Sequence, residues 1–185
     1  GCVLLSTARG KGEPQEGQEY FSAALLGTIV LAALSWLAVA CFDTPLLRLF
    51  GAEETLLPLA KAYLLPIKFA VPLFLLNQML AAFLRNDGAP ALATAAVLSG
   101  GLFNVFGDYF FVFSCNMGIF GAGLATAIGA AITFAVMLGH FFTKRNTLRL
   151  VRPTALPRKL RQIVITGFST FFIDVAMGIL TMLFN

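Results

Sequence analysis

Five stretches of this chain are long and apolar enough to cross a lipid bilayer as helices. They cover residues 21–42, 60–84, 91–113, 119–142 and 163–184, and each has about the 20 mostly apolar residues that a spanning helix needs. Residues 1–8 are interpreted as the end of a sixth segment. Charged residues make up 12% of the chain, whereas about a quarter of a soluble domain is charged. Because the windows lack the alternating pattern of barrel strands, the sequence predicts an all-α integral membrane protein.

The short polar segments between these windows predict an orientation. Residues 144–161 hold seven basic residues and no acid, and such loops face the cytoplasm. Counting back places loops 9–19 and 85–90 on the same side. The expected location of this multi-pass protein is the plasma (inner) membrane. The basic run could also contact nucleic-acid phosphates. Because topology and anionic lipid headgroups explain it, and interleaved aromatic residues are missing, no nucleic-acid partner is expected.

Cysteine and histidine do not predict a metal site. Cys2, Cys41 and Cys115 have no C-x-x-C spacing and no histidine cluster, so they are expected to be small apolar packing residues. His140, the single histidine, lies near the cytoplasmic end of its window and close to Lys144. It is interpreted as an interfacial ring, with a proton relay as the alternative.

Two polar residues inside the membrane form the core of a candidate cation site. Asp108 follows Asn104 by four residues, so the two side chains share one helix face. A carboxylate beside a carboxamide offers the oxygens that a proton or Na⁺ site needs. Asp108 lies 8 residues before Asn116, in the next turn, and Thr126 lies 10 after it. At about 1.5 Å per residue these are depths of about 12 and 15 Å, so an antiparallel neighbour would bring Thr126 to the same level.

Four polar residues have two interpretations each. Asp108 could instead hydrogen-bond neighbouring helices or extend toward water. Asp174, 12 residues into the last window, is either a second cavity carboxylate or an acid at headgroup level. Asn77 and Gln78, after a candidate kink at Pro72, either line the site or form hydrogen bonds between helices.

Three sequence blocks of specific order and spacing carry a family resemblance. They are AFLRNDGAP at residues 82–90, GGLFNVFGDYFFVF at 100–113 and MGIFGAGLATAI at 117–128. RGKG at 9–12 and TGFST at 166–170 support them. Together these blocks resemble the multidrug and toxic compound extrusion (MATE) family.

This resemblance implies a partial six-helix bundle of a twelve-helix, two-bundle transporter. The chain would run from the end of helix two to helix seven, and both of its ends are interpreted as cut. Residues 1–142 would belong to the amino-terminal bundle, 143–162 would form a basic cytoplasmic loop, and 163–185 would be the first helix of the carboxy-terminal bundle.

The same resemblance implies a cation site and a function. The family's helix-five pair matches Asn104 and Asp108, its helix-six threonine matches Thr126, and its helix-four asparagine matches Asn77. Asp174 falls where some members have a helix-seven acid. The implied function is H⁺- or Na⁺-coupled antiport of amphipathic drugs and organic cations. No cofactor or metal beyond the coupling ion is expected, the partners are membrane lipids and small amphipathic substrates, and the full-length protein is expected to be a monomer.

Two other classes of function fit the sequence less well. A lipid-linked oligosaccharide flippase of the same superfamily would be expected to have a markedly cationic cavity, whereas the basic residues in the spanning windows, Lys61 and Lys68, lie at one end of their window. A membrane enzyme would need a nucleophile with its base, or a metal cluster. Because serine, histidine and aspartate are scattered over different windows, the sequence predicts no enzyme.

Overall fold

A computed structural model describes residues 1–184 of the chain, and the side chains of all of these except residues 169, 170 and 182–184. The described chain is built from helices, which we number in order. They are α1 Cys2–Gly10, α2 Pro14–Cys41, α3 Asp43–Leu49, α4 Leu57–Asn86, α5 Pro90–Tyr109 with a π-helical turn at Phe110–Ser114, α6 Gly118–Leu138 with a 3₁₀ turn at Gly139–Phe142, and α7 Leu156–Phe184.

The predicted membrane segments are helices in the structure. Four of them are long and apolar enough to span a bilayer without a break: Pro14–Cys41, Leu57–Asn86, Pro90–Ser114 and Gly118–Phe142. The fifth window lies in α7, which bends by 49° between Leu156–Phe168 and Phe171–Thr181. The prediction of an all-α, multi-pass membrane protein is confirmed.

The helices extend beyond the apolar windows at several ends. Helix α2 begins at Pro14 and α7 at Leu156, so most of loop 9–19 and the last third of loop 144–161 are helical. Helix α3 occupies the first part of the loop after the first window. Charge marks where the hydrocarbon core ends, but a helix needs only satisfied backbone groups and continues into the headgroup layer.

The chain divides into two compact units. The first unit contains Gly1–Gly27 and Leu148–Asn185, and the second contains Thr28–Thr147. In the first unit, Leu5 and Ala8 of α1 and Tyr20 and Phe21 of α2 are buried.

In the second unit, α6 packs closely against both α4 and α5 through small residues. A Cβ atom added to Gly123 of α6 would lie 2.2 Å from the carbonyl oxygen of Tyr63 in α4. A Cβ atom on Gly100 of α5 would lie 2.5 Å from the carbonyl oxygen of Gly129 in α6. Small residues allow membrane helices to approach to backbone contact, and here they bring the polar side chains of α4 and α5 within reach of α6.

The turn between α5 and α6 is tight and places the two helices side by side. Asn116 and Gly118 adopt positive φ values of 53° and 57°, which only glycine and a few polar residues tolerate readily. Gly121, in the first turn of α6, lies against the backbone of Phe111 in the π-helical turn, where an added Cβ would be 2.9 Å from the carbonyl carbon. This contact fixes the level of α6 next to the end of α5.

Candidate cation site

Asn104 and Thr126 are brought together at the interface of α5 and α6. The amide nitrogen Nδ2 of Asn104 donates a hydrogen bond of 3.0 Å to Oγ1 of Thr126. The Thr126 hydroxyl in turn donates to the carbonyl oxygen of Ala122, at 3.1 Å. Both side chains are half-buried. The sequence predicts Thr126 at the level of Asp108; in the structure its hydrogen-bond partner is Asn104. The role of these residues in binding a cation stays a prediction.

Asp108 lies one helical turn beyond Asn104 and two residues before the π-helical turn, which begins at Phe110. Its Oδ1 atom is buried and has no hydrogen-bond partner in the described part of the chain. The preceding residue, Gly107, packs on Ala125 of α6, where an added Cβ would lie 3.0 Å from the Ala125 Cβ. A buried polar atom without a partner is uncommon in folded proteins, and π-helical turns are frequent at functional sites. A proton or a cation would satisfy this oxygen.

Asn77 reaches α6 one turn away from Thr126. Its Nδ2 donates a hydrogen bond of 2.9 Å to the carbonyl oxygen of Ala130, so Asn77 does bond between helices, as one of its two interpretations proposed. Its Oδ1 atom is buried and without a partner among the described residues. The amide therefore offers a spare acceptor on the same side of α6 as Thr126.

Helices α4, α5 and α6 line an open cavity of about 450 Å³. Three of the predicted residues line it, Asn77, Asn104 and Thr126, whereas Asp108 is outside the lining. The charged side chain in the lining is Arg85, near the end of α4. The remaining lining residues are Phe74, Gln78, Ala81, Val97, Gly100, Gly101, Gly129, Ala130, Thr133 and Met137.

Asp174 is placed in the other compact unit. It lies in the second half of α7 with an exposed side chain. The structure therefore groups four of the five predicted residues in the second unit and leaves the interpretation of Asp174 as a second cavity carboxylate a prediction.

A buried polar cluster was not predicted from the sequence. His140, in the 3₁₀ turn after α6, lies with Nε2 2.8 Å from Oδ2 of Asp87 in the α4–α5 turn. Asp87 also accepts two hydrogen bonds from Thr147, one of 3.0 Å from the backbone N–H and one from the hydroxyl. No acidic residue lies near His140 in the sequence, but the fold brings Asp87 into contact with it. The NDG turn motif at residues 86–88 marked this position only as a loop.

An ion pair accounts for a charge inside a spanning helix. Nζ of Lys68 in α4 lies 2.6 Å from Oδ2 of Asp43 in α3, and both side chains are mostly buried. Hydrogen bonds from Lys68 and from the Thr44 hydroxyl lower the pKa of Asp43 to about 2. The pairing neutralises Lys68, which reduces the cost of a cation at this depth.

The sequence of this chain is similar to proteins of a known family. A family model described as MatE matches residues 2–110. The multidrug export protein MepA of Staphylococcus saprophyticus is 26% identical over 100% of this chain and 42% of its own length. MepA of Staphylococcus aureus strain RF122 is 25% identical over 99% of this chain and 41% of its own length. The chain thus spans about two fifths of the length of these curated relatives.

A solved structure supports the same fold. It is described as the inward-facing conformation of a multidrug resistance MATE family transporter of the MOP superfamily. It superposes with a TM-score of 0.79 and 22% sequence identity, over 90% of this chain and 39% of that chain. Since the family model covers more than half of the residues and the fold agrees, this chain belongs to the MatE family.

Proposed function

We propose that this chain supplies the cation-binding bundle of an antiporter that exports amphipathic drugs and organic cations from the cell. The observation that carries the proposal is the buried, unpartnered carboxylate oxygen of Asp108, one helical turn from the hydrogen-bonded pair Asn104 and Thr126. Relatives that are 25–26% identical are named multidrug export proteins, which supports drug export. Because the chain spans about two fifths of their length, transport itself would be the work of the longer protein.

The coupling ion would be H⁺ or Na⁺ bound at this site. A proton would convert Asp108 to a neutral acid. Na⁺ would take oxygen ligands from the Asp108 carboxylate, from Asn104 Oδ1, whose amide nitrogen already bonds Thr126, and from the spare Oδ1 of Asn77. Carboxylate and amide oxygens are ligands that hard cations prefer. Either ion removes the cost of an uncompensated carboxylate in a low-dielectric surrounding.

Neutralising Asp108 would couple ion binding to transport. A ligand shifts a conformational equilibrium only by its differential affinity for the two states. If the ion binds more tightly to the state that releases drug, entry of the ion favours that state. Release of the ion to the cytoplasm then resets the bundle. The close Gly100–Gly129 and Gly123–Tyr63 contacts make discrete rearrangements more favourable than gradual ones.

The orientation proposed for the chain places the basic segment 144–161 in the cytoplasm of a cell whose plasma membrane holds the protein. The end of the second unit with Arg85, Asp87 and His140 would then face the cytoplasm. The α5–α6 turn at Asn116 would face outward, about 12 Å from Asp108 at 1.5 Å per residue. The coupling ion would enter from the outside, along this path from the α5–α6 turn to Asp108.

The test uses the complete open reading frame that contains this chain. Reconstituted in vesicles with an imposed H⁺ or Na⁺ gradient, the wild-type protein should move ethidium-like dyes, and Asp108→Asn should abolish gradient-driven movement while remaining inserted and monodisperse. Glu53→Gln is the matched control, because Glu53 is an exposed acid outside the spanning helices. Undiminished transport by Asp108→Asn would refute the role of Asp108.

The flippase alternative rests on one feature, the Arg85 side chain in a cavity lining that contains no acid. A single cation at one end of the cavity falls short of the markedly cationic surface expected for an oligosaccharide pyrophosphate. Deletion of the gene separates the two functions. Raised dye sensitivity with an intact cell wall supports the exporter, and a cell-wall defect with unchanged dye sensitivity supports the flippase.

A further inference from the structure

The first unit contains an irregular segment, residues 148–154, whose backbone is held by side chains of α2; we call it the strap. The N–H of Arg149 donates a 2.7 Å hydrogen bond to Oε1 of Gln18, and the N–H of Val151 donates a 2.9 Å bond to Oγ of Ser22. Glu19 Oε2 accepts from both the N–H and the hydroxyl of Thr154, at 2.7 and 2.5 Å. Side chains thus replace the partners that a helix or a sheet would supply.

Two buried side chains, Leu148 and Lys159, anchor the strap and the start of α7 that follows it. Leu148, at the start of the strap, is 2% exposed. Lys159, in the first turns of α7, is 7% exposed, and its Nζ lies 3.4 Å from Glu19 Oε2 and 4.4 Å from the centre of the Tyr20 ring. Lys159 is therefore neutralised within the protein and unavailable to an outside partner.

Four arginines of the same region face outward, and we call them the cationic face. They are Arg149, Arg152, Arg158 and Arg161, and all four are exposed. Arg158 also borders a pocket that contains Glu16 and Glu19. In the described structure none of their guanidinium groups has an ion pair or a hydrogen bond. Leu150, between the first two, is 69% exposed. Exposed arginines around an exposed apolar side chain are typical of segments that lie at a membrane surface.

The position of the strap along α2 places it at headgroup level. Its acceptors, Gln18, Glu19 and Ser22, lie where the polar start of α2 gives way to the charge-free run of residues 21–42. A spanning helix passes from the headgroup layer into hydrocarbon at such a transition. The cationic face therefore lies at the depth of lipid phosphates, and guanidinium groups bind phosphate oxygens in bidentate geometry.

We propose that the strap is a preordered docking surface for anionic phospholipid headgroups. Fixing the backbone before binding lowers the entropy that is lost when the arginines engage phosphates. Anionic lipids fit better than nucleic acid, because residues 148–161 contain no aromatic side chain for base stacking. The surface would select anionic over zwitterionic lipids through its geometry as well as its charge.

The test measures lipid retention by the complete protein in neutral detergent, using native mass spectrometry with phosphatidylglycerol and phosphatidylcholine. Wild type should retain phosphatidylglycerol preferentially. Arg149→Gln with Arg152→Gln should lower that preference by about 10- to 25-fold, since each basic residue near an anionic surface contributes roughly a factor of five. Lys144→Gln with Arg145→Gln removes the same charge outside the strap and should retain most of the preference.

A second pair of substitutions separates geometry from charge. Gln18→Leu with Ser22→Ala removes two acceptors of the strap and changes no charge, and it should also weaken the preference. Glu19→Leu removes the acceptor of Thr154 and makes the protein more positive. A simple charge effect therefore predicts stronger lipid binding, whereas a released strap predicts weaker binding.

Three results would overturn the proposal. The first is an equal loss of the preference for phosphatidylglycerol in Arg149→Gln with Arg152→Gln and in Lys144→Gln with Arg145→Gln. The second is unchanged selectivity in Gln18→Leu with Ser22→Ala, at a melting temperature that shows the protein folded. The third is competition by inorganic phosphate as effective as that by phosphatidylglycerol, which would indicate a free-anion site.

Discussion

Nε2 of His140 lies 2.8 Å from Oδ2 of Asp87, and the two side chains are 2% and 0% exposed although 53 positions separate them. The same carboxylate accepts hydrogen bonds from Thr147. The end of α6 and the segment that follows it are thereby tied to the α4–α5 turn. A carboxylate buried with these partners is a structural connection within the second unit, on the side where α4 and α6 end.

We expect Asp87→Ala to destabilise the protein more than His140→Ala. Removing the carboxylate strands the imidazole and both Thr147 donors, at a cost of about 3 to 5 kcal/mol. Removing the imidazole leaves the carboxylate with its Thr147 donors and should cost about 1 to 3 kcal/mol. Unfolding in sodium dodecyl sulfate, followed by circular dichroism, measures both. In a double-mutant cycle the two losses should be non-additive by at least about 0.5 kcal/mol, and full additivity would contradict the pairing.

The glycine contact between α5 and α6 gives a matched pair of variants. A Cβ on Gly100 would lie 2.0 Å from Thr133 Oγ1 and 2.5 Å from the Gly129 carbonyl oxygen, whereas a Cβ on Gly101 meets nothing within 4 Å. Gly100→Ala should therefore separate the helices and lower stability by about 1 to 3 kcal/mol or more. Gly101→Ala should change it by less than about 1 kcal/mol. The fraction that elutes as a monodisperse peak after heating reports the difference, and equal behaviour of the two variants would contradict this packing.

The spanning helices were predictable because the bilayer leaves the backbone few alternatives. Charge-free runs such as 21–42 and 119–142 can satisfy their polar groups in lipid only as helices. The short turn between α5 and α6 makes them antiparallel neighbours, so Thr126 was expected to reach α5 near Asp108. Its hydrogen bond to Asn104, one turn away, was not predicted. These inferences need only local sequence and the helix rise.

The remaining contacts depend on long-range packing. Nothing near Lys68 in the sequence indicated that Asp43, 25 residues earlier, would pair with it, because the short α3 that carries Asp43 has no apolar window. The strap was predicted only as a basic loop, since side-chain acceptors for backbone N–H groups have no sequence pattern. The bend of α7 near residues 169–170 was not predictable either, because no proline near it in the sequence marks a kink.

The Asp43–Lys68 pair predicts a contribution to stability that depends on pH. The pKa of Asp43 is lowered from 3.8 to about 2 in the folded protein. A carboxyl group with a depressed folded pKa stabilises above its unfolded pKa, and the contribution is lost as the pH falls toward the folded value. The stability difference between wild type and Asp43→Asn should be constant above about pH 5 and shrink between about pH 4 and 2. Since Asp43 is partly exposed, the difference should be within about 1 kcal/mol.

That comparison requires only the difference between the two proteins, because other acids titrate in both. The same comparison can be made in a protein that carries Lys68→Met. There Asp43→Asn should no longer produce the pH-dependent difference in stability, because the lysine that lowers the pKa of Asp43 is absent. A stability difference that grows as the pH falls from 5 to 3 would show that the carboxylate is not stabilised by Lys68.

Thr126 offers the most specific test of the cation site, because serine and valine separate its hydroxyl from its shape. Thr126→Ser keeps an oxygen that accepts from Asn104 Nδ2 and donates to the Ala122 carbonyl. Thr126→Val keeps the volume but leaves the Asn104 amide without its acceptor, which costs about 1 to 3 kcal/mol and releases the amide from its orientation next to Asp108. We therefore expect the valine variant to need a roughly 10-fold higher cation concentration for half-maximal drug transport, with the serine variant close to wild type. Thr7→Val is the matched control, because Thr7 is exposed in α1 and its hydroxyl bonds the Val3 carbonyl of its own helix. A valine variant at position 126 that keeps the wild-type cation dependence would show that the Asn104–Thr126 pair orients nothing at the site.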